Sequence, residues 1–162
     1  MRQDQKGLTL INSMMVIAMI GILTTIAIPP AYQMYEDAQA REQVVEAMNL
    51  LDGVKAPISE FHASNGRWPT NAEFDALIPH GNGKYVASLT PLILPSGFQV
   101  TAKFRNNGVS PGLVEGGMGR TLVLATATGQ KWICNDSNDP ENGLPEIVKG
   151  TVPPEYRPAA CR

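Results

Sequence analysis

The side chains able to do chemistry in this 162-residue chain are few and stand far apart. His62 and His80 fall in loop-like sequence with no evident nucleophile to activate, so both are expected to be solvated loop residues. Gly119-Arg120-Thr121 has the ending of a phosphate loop, but arginine stands where that loop needs lysine, and Val114 where it needs its first glycine. It reads as a turn entering a strand. Asp136, Asn138, Asp139 and Glu141 offer oxygens suited to calcium, yet the glycine and distal glutamate of a calcium loop are missing. Asn135-Asp136-Ser137 fits the short glycan-acceptor pattern. Lys103, Arg105, Arg120 and Lys131 lie on or beside expected strands, where they could meet the phosphates of DNA. A solvated sheet face accounts for them more simply. No catalytic group, metal site or cofactor is expected, and the chain is not read as an enzyme.

The charge pattern is more informative. After Lys6 the next charged side chain is Glu36, so residues 7–35 carry none. As a helix, Leu8–Ile28 would be roughly 31 Å long, about the thickness of bilayer hydrocarbon. A cleaved secretory signal would have a shorter apolar core and a small-residue cleavage site after it. A buried core helix would seldom be so apolar on every side. A membrane span fits best. Arg2 and Lys6 precede the span and Glu36 and Asp37 follow it, which leaves the N-terminus cytoplasmic and the rest outside. The only two cysteines, Cys134 and Cys161, then lie in an oxidising compartment. One disulfide is expected there, the alternative being two separate buried thiols.

These features must be carried by a small set of elements. Residues 31–61 are rich in good helix formers, and Val44, Ala47, Leu51, Val54, Ile58 and Phe61 recur at steps of three and four. The spacing predicts one apolar stripe on an amphipathic helix, with Glu36, Glu42, Glu46 and Lys55 off the stripe. Pro29, Pro30 and Gly21 weaken the apolar half, and bending or local melting is expected near Ile22–Ile28. Loop punctuation fills 62–83, around a short helix over Asn71–Leu77. Strands are expected at Lys84–Leu89, Phe98–Phe104, Thr121–Thr126 and Gln130–Cys134, with turns at Pro95-Ser96-Gly97 and Asn106–Gly119. A Cys134–Cys161 bond would tie down the proline-rich tail, worth roughly 3 kcal/mol in the chain-entropy model. The predicted fold class is α+β, a long N-terminal helix packed on a four-stranded antiparallel sheet with a disulfide-bounded C-terminal region at 134–161.

Several segments together resemble type IV pilins. The N-terminus is similar in Lys6-Gly7, in Leu8-Thr9-Leu10-Ile11, and in Gly21-Ile22-Leu23-Thr24-Thr25-Ile26-Ala27-Ile28-Pro29. Downstream, Asn65-Gly66-Arg67-Trp68-Pro69 resembles the family's helix-to-sheet loop and Gly119-Arg120-Thr121-Leu122 its third strand. Trp132-Ile133-Cys134 and Pro153–Arg162 resemble the segments that enter its disulfide and close the chain. The resemblance implies a leader, residues 1–7, cut after Gly7 by a prepilin peptidase, with methylation of the new amino group on Leu8. Glycine suits that position because it brings no side chain into a protease cleft. A transmembrane and polymerisation half at 8–30 would follow, with Leu8, Thr9, Asn12, Gly21 and Pro29 among the assembly residues, and then a globular domain at 31–162. Implied partners are the bacterial inner membrane, the peptidase, a pilus assembly platform and other copies of the chain. The product would be an extracellular helical filament serving adhesion, twitching motility or DNA uptake.

Two departures from the family pattern stand out. Pilins usually carry glutamate five residues after the cut, where it is thought to neutralise a neighbour's N-terminal amine; this chain has Asn12. Asparagine accepts a hydrogen bond but neutralises no charge. Three explanations are open: a minor or tip subunit with fewer neighbours, an assembly variant, or a filament that satisfies the amine by another route. The second departure is the Pro29-Pro30 pair, where one proline is usual. Alternative functions are a competence pilin that binds DNA and a pseudopilin of type II secretion, the cysteine pair favouring a pilin over the latter.

Overall fold

The computed structural model describes residues 4–134 and 147–161, without the side chains of residues 4–9, 26–31 and 160. The chain divides into two compact units, Met1–Glu36 and Asp37–Arg162. Helix α1, Asp4–Asn65, supplies the first unit and the opening element of the second.

Within the first unit α1 is unbroken through Ile22–Ile28 and through Pro29-Pro30, so the local melting expected there is absent. Each proline removes one donor, but the bonds on either side persist, and extending a helix already formed is far easier than nucleating one. The same holds at Pro57.

In the second unit the predicted stripe is buried. Val44, Ala47, Leu51, Val54 and Ile58 are all at or below 1% exposure, and the stripe begins a turn earlier than expected, at Ala40. Phe61 is only half-buried because the Arg67 guanidinium, not the sheet, covers its ring, 5.2 Å from the centroid. The helix runs one turn past Phe61 and ends where Gly66 adopts φ 67° and its N–H closes on the His62 carbonyl. His62 is therefore not a solvated loop residue. It sits on α1, half-buried, stacked on Trp68 with centroids 3.8 Å apart.

Helix α2, Asn71–Leu77, falls where predicted. Its entry is fixed by Glu73, which accepts from the Thr70 N–H at 2.9 Å and from both terminal nitrogens of Arg67 at 2.6 and 2.8 Å. These bonds hold the Glu73 carboxyl down at about 2, the Arg67 contact first and the Thr70 bonds second.

Four strands form the main sheet: β1 (Val86–Leu94), β2 (Gly97–Phe104), β5 (Thr121–Thr126) and β6 (Trp132–Cys134), in the order β1-β2-β5-β6 and antiparallel throughout. Phe98, Val100, Ala102 and Phe104 of β2 alternate inward onto the α1 stripe, with Leu122 and Leu124 of β5 beside them. Fully burying each large side chain contributes about 1.5–3 kcal/mol. β5 is buried on both faces. Its Ala125 packs with Leu94 and Ile133 under Ile147, so the tail covers the side of the sheet away from α1. β1 differs most from expectation, reaching Leu94 rather than Leu89, with Pro91 in its middle opposite Val100. It is an edge strand, the place where a sheet tolerates proline. The glycine-rich stretch read as turns also holds a second small sheet, β3 (Val114–Glu115) paired with β4 (Met118–Gly119). Gly116 and Gly117, at φ 58° and 78°, make its two-residue connection.

The tail is held by buried polar groups. Gln99, fully buried on β2, donates to the Val148 carbonyl and accepts its N–H, at 3.1 and 3.0 Å. Thr151 and Val152 both donate to the Thr121 carbonyl. Arg157, 6% exposed, donates through Nε to the Val152 carbonyl at 2.7 Å. Cys134 and Cys161 are disulfide-bonded across 27 residues of sequence, with Cα atoms 4.9 Å apart. Met48 of α1 lies against both sulfurs, its Sδ 3.9 and 3.5 Å away.

Candidate assembly surface

The first unit presents apolar side chains in every direction. Ten large ones between Leu10 and Leu23 are each at least half exposed, from Val16 at 50% to Ile17 at 69%. Nothing among the described residues covers them, and a helix apolar all round needs an apolar environment all round. Sequence reasoning stopped at the prolines and missed that the surface continues: Tyr32, Met34 and Tyr35 are exposed by 63, 74 and 61%. Their signal was the absence of charge as far as Glu36.

The polar residues of this segment are arranged to do without water. Thr24 donates its hydroxyl to the Ile20 and Gly21 carbonyls at 3.0 and 2.9 Å, and Thr25 to the Ile22 carbonyl at 2.7 Å. Both satisfy themselves inside the helix, so a neighbouring helix or lipid chain meets methyl groups. Asn12 is exposed on the same helix, one turn before Met15 and Val16. It brings an amide dipole, and no charge, to this surface. At Gly21 a Cβ would meet nothing within 4 Å. No neighbouring group among the described residues requires glycine there. Gly7, Leu8, Thr9 and Pro29 belong to the α1 backbone, but their side chains fall outside the described ones. Among the described residues no helix is long and apolar enough to cross a membrane. The described side chains of the apolar segment are those of residues 10–25, which span roughly 24 Å.

The other candidates are dispersed. Arg120 is paired with Glu115 at 3.2 Å and donates to the Thr151 carbonyl at 2.7 Å, while Arg105 donates to the Gly83 carbonyl at 3.0 Å. Two of the four cations considered for DNA thus serve the fold, and Lys103 is exposed on β2. Lys131 is exposed in the turn before β6. His80 is an exposed turn residue. The calcium candidates at 136–141 and the glycan acceptor Asn135 lie outside the described residues.

A family model described as Pilin (bacterial filament) matches residues 40–162. The chain is 35% identical to a fimbrial protein of Eikenella corrodens, the alignment covering 98% of this chain and 99% of that one. It is 33% identical to a type IV major pilin protein of Neisseria gonorrhoeae over 98% of this chain and 74% of the relative. It is 30% identical to a type IV major fimbrial protein of Dichelobacter nodosus over 92% of this chain and 98% of the relative. The chain belongs to the type IV pilin family.

For a pilin the geometry is coherent. The second unit carries the pilin fold, a helix on a four-stranded antiparallel sheet closed by the Cys134–Cys161 disulfide. The pilin is a structural subunit of a pilus and not an enzyme. The candidate site is a surface, the exposed apolar helix of the first unit.

Proposed function

We propose that this pilin loses residues 1–7 to a prepilin peptidase after Gly7, is methylated on Leu8, waits in the bacterial inner membrane through residues 8–30, and then polymerises through that helix. The observation that carries the reading is the ring of large apolar side chains from Leu10 to Leu23, exposed on all sides of one helix. Lipid covers such a helix before assembly, and the helices of other copies cover it in the filament. The apolar surface stays out of water in both, so transfer need not forfeit the hydrophobic term. The disulfide-closed domain forms the outside of an extracellular filament used for adhesion, twitching motility or DNA uptake. An assembly platform supplies the work.

Asn12 favours a second reading, a minor or tip subunit. Without a carboxylate in the segment, each buried N-terminal ammonium must be neutralised elsewhere, which is easiest for a subunit with few neighbours. Mass spectrometry of the mature N-terminus and immunogold microscopy of sheared filaments test the scheme together. A methylated Leu8 terminus with label along the shaft is expected for a major subunit, and label at one end for a tip subunit. An intact Met1 terminus with no labelled filaments would refute both.

A further inference from the structure

We propose that Asn107 is a built-in deamidation site, at which the assembled domain acquires one extra negative charge with age. Three Asn-Gly pairs lie in the described residues: Asn65-Gly66, Asn82-Gly83 and Asn107-Gly108. Such a pair reacts when the glycine nitrogen attacks the asparagine Cγ, since glycine hinders the approach least. The structure separates the three. The Gly66 N–H is engaged with the His62 carbonyl at 2.9 Å, and Asn65 donates its own amide to the Phe61 carbonyl at 2.9 Å. The Gly83 N–H is engaged with the Val86 carbonyl at 3.0 Å, and a Cβ at Gly83 would collide with Glu46 and Leu50, so that backbone is packed in place. At the third pair Asn107 and Gly108 are both exposed, Gly108 sits at φ 73° with open space around it, and its N–H meets no acceptor among the described residues.

The surroundings favour the reaction as well as permit it. Asn107 lines a recess of about 440 Å³ together with Lys103 and Arg105. Attack begins with loss of the Gly108 amide proton and passes through an oxyanion on Cγ, and adjacent cations stabilise both negative charges. The N–Cγ bond forms first, placing the negative charge on Oδ1; Nδ2 takes up a proton, and collapse of the oxyanion breaks the Cγ–Nδ2 bond and releases ammonia. Water then opens the succinimide at either carbonyl, giving aspartate or isoaspartate at position 107. The new carboxylate would share the recess with the cations of Lys103 and Arg105.

The test is peptide mapping of the purified full chain in detergent, aged at mildly alkaline pH beside free peptides of the three sequences. Conversion at Asn107 should keep within an order of magnitude of its peptide. Asn65 and Asn82 should lag theirs on the order of tenfold, because a hydrogen-bonded glycine must first open. Asn107→Ser should remove only the share of the acidic shift that peptide mapping assigns to position 107, the chain's fourth such pair, Asn142-Gly143, being scored by its own peptide, and Lys103→Gln should slow conversion at Asn107. The proposal is overturned if Asn107 stays an amide while its peptide converts, or if Asn65 or Asn82 converts as fast. Equal rates in Lys103→Gln would remove the role assigned to the cations.

Discussion

Gly21 separates a helix that merely anchors from one that packs. Consider Gly21→Leu. In the subunit the new side chain meets open space, since a Cβ at this position has no neighbour within 4 Å. Leucine is also the better helix former, by about 0.5–1 kcal/mol. Lipid accommodates it without strain. The lone subunit should therefore keep its fold, its membrane residence and its unfolding midpoint. A filament that seats a neighbouring helix against Gly21 is different, because forcing extra carbons into a formed contact costs about 1–3 kcal/mol. At 1.4 kcal/mol per tenfold, that is roughly a five- to hundredfold loss of affinity at each contact. The measurement is the ratio of sheared filament to membrane-retained subunit on immunoblots, with circular dichroism of the detergent-solubilised subunit as control. Gly21→Ala should fall between. Wild-type filament yield from Gly21→Leu would show that no helix approaches this position, and the packing argument would fail.

Other consequences are as specific. Asn12→Glu restores a carboxylate able to pair with a neighbour's amine, and should raise filament yield and Leu8 methylation; no change in either would dismiss the charge-pair account for this pilin. Replacing both Cys134 and Cys161 with alanine should cost about 3 kcal/mol, read as a lower denaturant midpoint that the wild type matches only under reductant. Glu73 sits at about 2 in the fold against 4.5 ordinarily. Its stabilisation is complete above 4.5 and is lost as the pH falls towards 2, so thermal midpoints should drop across that window and drop less in Glu73→Gln. Gly119→Ala drives a Cβ into the Phe104 carbonyl where β4 leads into the main sheet, and the protein should accumulate as insoluble material.

The parts of this fold legible in the sequence are those set by local periodicity. The steps of three and four from Val44 to Ile58 predict the buried stripe because a helix cannot turn those residues any other way. Alternation does the same for β2, and Thr121–Thr126 was visible as a strand from its β-branched and aliphatic run. What stayed hidden depends on partners distant in sequence. β1 runs on through Pro91 because β2 offers it continuous pairs from Ser88 to Leu94, whereas proline alone reads as a stop. Gln99 and Arg157 look like surface residues until the tail returns over them. His62 looks like a loop residue until Trp68 folds back onto α1. The Thr70–Glu73 cap, by contrast, is visible in the sequence as a threonine followed three residues later by glutamate. At the site, the apolar segment declared itself by composition, but only the exposure of Tyr32, Met34 and Tyr35 extended it beyond the prolines.

The proline in the outermost strand matters beyond the sheet it belongs to. Filaments crowd thousands of identical domains side by side, and a bare strand edge on each would invite them to zip together through their backbones. An incoming strand finds no donor at Pro91, so such lateral growth is interrupted at the middle of β1. Neighbours can then meet through side chains without fusing, and in the proposed assembly order in the polymer is left to the helices.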